Sequence, residues 1–239
     1  MLAALRADLR AARERDPAAR SSVELVLCYP GVHAIWGHRV SNWLWRHGRT
    51  LMARICSAFT QRLTGVDIHP AAALGPGLFI DHAVGVVIGE TAEVGADVTI
   101  YHGVTLGGTS LERGKRHPTV GDRVTIGAGA KVLGPITIGH DSRIGANAVV
   151  VKPVPPDSVV VGVPGQVIMR KHARAATAPA DLDNAVLPDV VGVSLRTLHD
   201  RIDDLEARLD GARPHLASPR PASPRVASSE VWYEQDFSI

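Results

Sequence analysis

Eleven histidines, several of them beside acids or cations, are the chemically suggestive feature of this chain. Asp67-Ile68-His69-Pro70, Asp81-His82 and Arg116-His117-Pro118 each bring an imidazole close to a charge. A carboxylate that fixes one imidazole tautomer and stabilises the imidazolium makes histidine a better general base. Asp67 and His82, 15 residues apart, suit that pairing. Arg116 and His117 lie in a polar stretch, SLERGKRHPT, and could take a substrate carboxylate through charge-assisted hydrogen bonds. No serine or cysteine nucleophile sits in an elbow, and no phosphate-cradling glycine loop precedes a helix. Direct attack by a substrate hydroxyl is therefore simpler than covalent catalysis.

The elements that must position these residues are periodic. Aliphatic residues recur every six positions as Ile68, Leu74 and Ile80, then as Ile88, Val94, Ile100 and Leu106. After an eight-residue insertion they resume as Val120, Ile126, Val132, Ile138, Ile144 and Val150. Smaller residues follow four positions on, at Val98, Val104, Val124, Ala130 and Ala148. Six residues suit one short strand plus a turn, so three such units close one triangular coil of about 18 residues in a parallel β-helix. On that count Asp67 and His82 sit nearly stacked in adjacent coils. The narrow interior explains the composition. Residues 66–167 hold 17 of the 23 glycines and 19 valines, and all four Trp lie outside. The insertion within Ser110–Thr119 is too polar for a coil and should leave the prism as a loop.

The fold class is thus α+β, with four parts. Residues 1–65 read as a helical domain, in which Ile35, Val40, Trp43 and Leu44 recur at helical spacing and Gly48 is a stop. Its Trp residues are expected in the helix-packing core. Residues 66–167 form the β-helix. Residues 168–211 are a connector plus a helix, capped by Ser194, whose Leu195, Leu198, Ile202, Leu205 and Leu209 alternate 3-4-3-4 as a coiled-coil seam. Residues 212–239 are a Pro-, Ser- and Arg-rich tail, expected to be disordered, ending in VWYEQDFSI, which suits a short recognition peptide.

Composition excludes several classes. A net charge of +2 is too mild for a nucleic-acid binder, and no apolar run approaches the roughly 18 residues that span a bilayer. The charged N-terminus offers no signal-peptide core. Cys28 and Cys56 have neither metal spacing nor partners for a disulfide framework, which makes a reducing cytoplasm the default location.

Four stretches, DIHPAAALGPGLFIDHAVGVVIGETAEVG, VTLGGTS, RHPTVGDRVTIGAGAKVLGPITIG and VPPDSVVVGVPG, resemble the serine O-acetyltransferases of the hexapeptide-repeat family. The resemblance runs from about Asp16 to Pro164. It implies a left-handed β-helix, trimers, and active sites between neighbouring prisms. It also implies transfer of acetyl from acetyl-CoA to the L-serine hydroxyl, giving O-acetylserine as the first step of cysteine biosynthesis, with no metal. By the resemblance, His82 is the general base and Asp67 its orienting carboxylate. Asp16 and Asp81 take the serine amine, while Arg116 and His117 take its carboxylate. Gly108 and Thr109 line the acetyl thioester, and Ala128, Arg143 and Ala146 contact CoA. L-cysteine is implied as a feedback inhibitor, and the final Ile239 as a ligand for O-acetylserine sulfhydrylase. Only about 64 residues precede the prism, so a dimer of trimers is less strongly implied than the trimer. The alternatives on the same prism are another acyl-CoA transferase, or a γ-carbonic-anhydrase-type lyase holding zinc on His82, His102 and His117. A non-catalytic scaffold presenting the C-terminal peptide is the remaining reading.

Overall fold

The hexad aliphatics become the interior of a three-faced prism. The computed structural model describes residues 2–170 and 190–211. Four helices come first: α1 (Leu2–Arg15), α2 (Ser22–Cys28), α3 (Pro30–Arg46) and α4 (Thr50–Thr64). Gly48 ends α3 in a left-handed conformation, as its position suggests, and Gly65 does the same for α4. Short strands follow: β1 (Asp67–Ile68), β2 (Ala73–Leu74), β3 (Phe79–Asp81), β4 (Val87–Ile88), β5 (Glu93–Val94), β6 (Thr99–Tyr101) and β7 (Thr105–Gly107). After the insertion come β8 (Thr119–Val120), β9 (Thr125–Ile126), β10 (Lys131–Leu133), β11 (Thr137–Ile138), β12 (Arg143–Ile144), β13 (Val149–Val150), β14 (Ser158–Val161) and β15 (Gln166–Arg170).

Every third strand pairs in parallel, giving faces ordered β1-β4-β7-β10-β13, β2-β5-β8-β11 and β3-β6-β9-β12-β14, the last closed by antiparallel β15. Register exposes the irregularities of the repeat. Lys131 stacks on Val149, 18 residues on; Asp67 on Val87, 20 on; and Thr105 on Lys131, 26 on. Two extra residues thus lie between β3 and β4, and eight between β7 and β8. The stacked aliphatics are buried, Ile100, Leu106, Ile126 and Ile138 completely so. Each such side chain contributes about 1.5–3 kcal/mol.

The helices dock by both packing and charge. Gly31 of α3 lies so close to the backbone of Ile80 that an added Cβ would meet its carbonyl oxygen at 2.0 Å. Buried Asp8 accepts two hydrogen bonds of 2.7 Å from Arg39 and one of 3.0 Å from the Gly77 N–H. Arg15, ending α1, donates to the carbonyls of Gly77 and Val98 and to Asp97. The next residue, Asp16, is therefore held against the prism.

Two expectations need correction. Trp43 is about half exposed rather than in the core, because α3 turns Ile35, not Trp43, toward the prism. Ser194 is not a helix cap, because α5 (Val190–Gly211) begins a turn earlier, where Val190, Val191 and Val193 extend it. The tail and Ile239 lie outside the described residues. Among the described residues no helix is long and apolar enough to cross a membrane.

Candidate active site

The prism has three edges, and the histidines of interest fall on two of them. The edge after β3 carries Asp81 and His82. The imidazole Nε2 of His82 lies 4.0 Å from the Asp81 carboxylate, and its ring stands T-shaped to His102, with centroids 5.8 Å apart. His102 is the residue one coil above it. His82 and Ala83 both take left-handed backbone angles, φ 55° and 49°, which disfavour residues with a Cβ. The two extra residues of this edge are accommodated there, so the strain and the base coincide. The His82 side chain is 74% exposed.

Around it the charges are acidic. Asp81 pairs in register with Tyr101; burial raises the phenol's pKa, and Asp81 raises it further. Asp16 reaches the same neighbourhood from the α1–α2 turn. One of its oxygens accepts from the Ala18 N–H at 2.8 Å, the other from the Tyr29 hydroxyl at 2.6 Å. That bond is the main reason Tyr29 is pushed up to about 12. Asp16, Asp81 and Arg143 all act on Tyr101, so the three lie within one electrostatic field. Two carboxylates beside an imidazole suit an ammonium group. Further along, the edge narrows to Ala128 and Ala146. The Gly129 N–H bonds the His102 carbonyl, and the Asn147 N–H bonds that of Ala128. Small side chains above the two imidazoles leave room for a long ligand along the edge.

The edge after β4 and β7 carries the second cluster, built by the insertion folding back. Its tip is exposed, but Lys115 bonds the Thr91 carbonyl at 2.9 Å and Glu93 at 2.8 Å. The Thr91 hydroxyl accepts from the N–H groups of Arg116 and His117. Its own proton then goes to His117 Nδ1 at 2.8 Å, which also accepts from the Thr91 N–H. With Nδ1 an acceptor, Nε2 carries the ring proton. Nε2 faces the gap left by two glycines: a Cβ on Gly89 would meet it at 2.0 Å, and one on Gly108 at 3.3 Å. Burial holds the His117 imidazole below its ordinary pKa, and Arg116 adds to this, so the ring is neutral at pH 7. Arg116 donates one Nη to Glu90, which keeps that carboxylate below the usual range. Thr109 approaches Gly134 on the same edge.

The structure thus gathers Asp16, Asp81, His82, Ala128, Arg143 and Ala146 about one edge, and Gly108, Thr109, Arg116 and His117 about another. Asp67 belongs to the face between them. Contrary to the spacing argument, its stacked partner is Val87, and His82 lies five positions earlier, across an edge. No hydrogen bond joins Asp67 to His82. His117 is on a different edge from His82 and His102, and among the described residues no three His, Cys, Asp or Glu side chains gather into a metal-holding group. Sequence reasoning missed Tyr29, Tyr101, Glu90 and Thr91. Glu90 and Thr91 were within reach, since each lies 26 residues before its partner, the coil length across the insertion.

A helical cap on a hexad prism, with an acid–imidazole edge and a cation–imidazole edge, defines a hexapeptide-repeat transferase. Residues 117–152 match the family model for bacterial transferase hexapeptide (six repeats), and residues 1–36 match that for serine acetyltransferase, N-terminal. The serine acetyltransferase of Mycobacterium tuberculosis is 61% identical over all 239 residues, covering the whole of both chains. A serine complex of the Neisseria gonorrhoeae serine acetyltransferase is 49% identical with a TM-score of 0.68, over 70% of this chain and 68% of that one. A Coenzyme A complex of the Brucella abortus enzyme is 47% identical with a TM-score of 0.69, over 72% and 68%. The chain belongs to the serine acetyltransferase family, and its reaction is acetyl transfer to the hydroxyl of L-serine.

Proposed function

We propose that His82 is the general base and that each active site is completed by two copies, the His82 edge of one facing the Arg116 edge of the next. One observation carries this: the carboxylate cluster for an amine and the cationic cluster for a carboxylate sit on different edges of one prism. An amino acid needs both within a few ångströms. A ring of three copies with head-to-tail contacts brings unlike edges together three times. Asp16 and Asp81 then hold the serine ammonium, and Arg116 and the neutral Nε2–H of His117 hold its carboxylate. The hydroxyl proton passes to His82 as the oxygen attacks the thioester carbonyl of acetyl-CoA, with Asp67 as the carboxylate that steadies the imidazolium. A backbone N–H at Gly108–Thr109 steadies the tetrahedral oxyanion, an interaction worth roughly 3–4 kcal/mol in oxyanion holes. Collapse expels the CoA thiolate, and the imidazolium returns the proton to it. Ala128, Arg143 and Ala146 line the path of CoA.

L-cysteine presents the same amine and carboxylate, so it competes with serine at this clamp. The C-terminal Ile239 is the matching ligand for a sulfhydrylase partner.

Mixing tests the shared site. His82→Ala and Arg116→Ala chains are each nearly inactive alone at low serine. Refolded together, they assemble some sites with both edges intact, about a quarter by random assortment. Activity no greater than the average of the two parents overturns the two-copy reading.

A further inference from the structure

Leu195, Leu198, Ile202 and Leu205 of α5 all face solvent, each more than half exposed. Their 3-4-3 spacing has the 3.5-residue period of a seam between helices, not the 3.6 of a stripe laid on a globule. The flanking charges say which helix covers the seam. With Leu195 in the first core position, Arg201 precedes the next core residue and Glu206 follows the one after that. Two such helices side by side, parallel and in register, set Arg201 of one against Glu206 of the other. An antiparallel pair would instead oppose Arg201 with Arg208. Within one chain Arg201 and Glu206 are five residues apart and do not face each other. Neither has an ion-pair partner among the described residues, whereas Arg208 is paired with Asp204 at 3.0 Å. The outermost positions, Asp200 and Ala207, are polar or small, as a solvent face requires.

We infer that α5 packs in parallel and in register against α5 of other copies of this chain, as a short coiled coil. Little more than two heptads associate weakly on their own. Copies already joined through their prisms raise the effective concentration to the millimolar range, so the seam closes without a large free energy of its own. That step rests on the trimer proposed above. The residues that follow then leave the seam side by side.

Site-directed cross-linking of the full-length chain tests this. In a Cys28→Ser, Cys56→Ala background, Leu198→Cys or Leu205→Cys should form an interchain disulfide in most chains on mild oxidation, and Ala207→Cys in few. Acetyl transfer should stay near wild type before oxidation. Adding Arg201→Glu should cut the Leu198→Cys yield severalfold, and Glu206→Arg on top should restore it. A trimeric mass by light scattering with no cross-link at Leu198, or equal yields at Leu198 and Ala207, overturns the seam and leaves the trimer standing. Cross-linking only when Leu198→Cys and Leu205→Cys chains are mixed means antiparallel pairing and also overturns it. A monomeric mass overturns the trimer itself.

Discussion

Two edges of the prism share a backbone plan and put it to opposite uses. Before each of β6, β9, β12 and β14, the chain turns through a left-handed residue at Asp97, Arg123, Asp141 and Asp157. Before β4 it turns through His82 and Ala83, also left-handed. On the first edge the side chains answer one another. Arg123 is bidentate to Asp141 at 2.6 and 2.8 Å, His140 reaches Asp141 at 2.7 Å, and Arg15 reaches Asp97. On the second the imidazoles have only a carboxylate at 4.0 Å and each other. Similar local strain, of order 1–3 kcal/mol per residue, is offset by ion pairs on one edge and left open on the other. Polar groups without partners on a rigid frame are what a ligand can engage. The lesson is to look for chemistry where the repeat is strained and its side chains are unanswered.

The largest effect should come from the unanswered edge. His82→Ala should lower kcat by roughly 10²–10⁴, the usual worth of a general base, with CoA binding kept by calorimetry. His82→Gly should lose as much activity, yet melt higher than His82→Ala, because glycine accepts the left-handed angle that alanine resists. Equal melting temperatures would remove strain from the account of this edge. Near-normal turnover would remove His82.

Next comes the insertion, whose cations are answered in part by Glu90 and Thr91. Arg116→Ala should raise the KM for serine by about 10–100-fold, as expected for a charged hydrogen bond worth roughly 1.5–3 kcal/mol, with a smaller change in kcat. Glu90→Gln keeps the guanidinium but frees it, and should move the same KM only a few-fold. If Glu90→Gln costs as much as Arg116→Ala, Arg116 acts through the loop's structure and not on substrate.

Much of this was legible in the residues. Ile68 through Val150 gave faces and interior, since a hexad repeat buries one residue per strand with little freedom. His82, Arg116 and His117 stood out by residue type beside a charge. What failed was register. Treating every coil as about 18 residues stacked Asp67 on His82, while the extra residues between β3 and β4 make that coil 20 and place Val87 there. The same arithmetic, corrected to 26 across the insertion, finds Glu90 for Arg116 and Thr91 for His117. Tyr29 was beyond any such count, because it comes from a helix packed on the prism and bonds Asp16 through tertiary contact alone.

The answered edge should yield the smallest effect. Asp141 is held below the usual carboxylate range chiefly by its bond from Arg123. A carboxyl whose pKa falls on folding stabilises the fold above its unfolded pKa, near 3.8, and loses that contribution as pH drops through the folded value. Asp141→Asn should therefore leave acetyl transfer unchanged at pH 7. It should lower stability there by about 0.5–1 kcal/mol, because partly exposed pairs are worth little. The melting temperature would move by roughly 1–4 °C. Repeated at successively lower pH, the gap between wild type and Asp141→Asn should shrink below pH 4 and close once both chains are neutral at that position. A gap that stays constant with pH would mean that packing, not charge, holds this edge. A loss of activity at pH 7 would mean that the two edges are not separable.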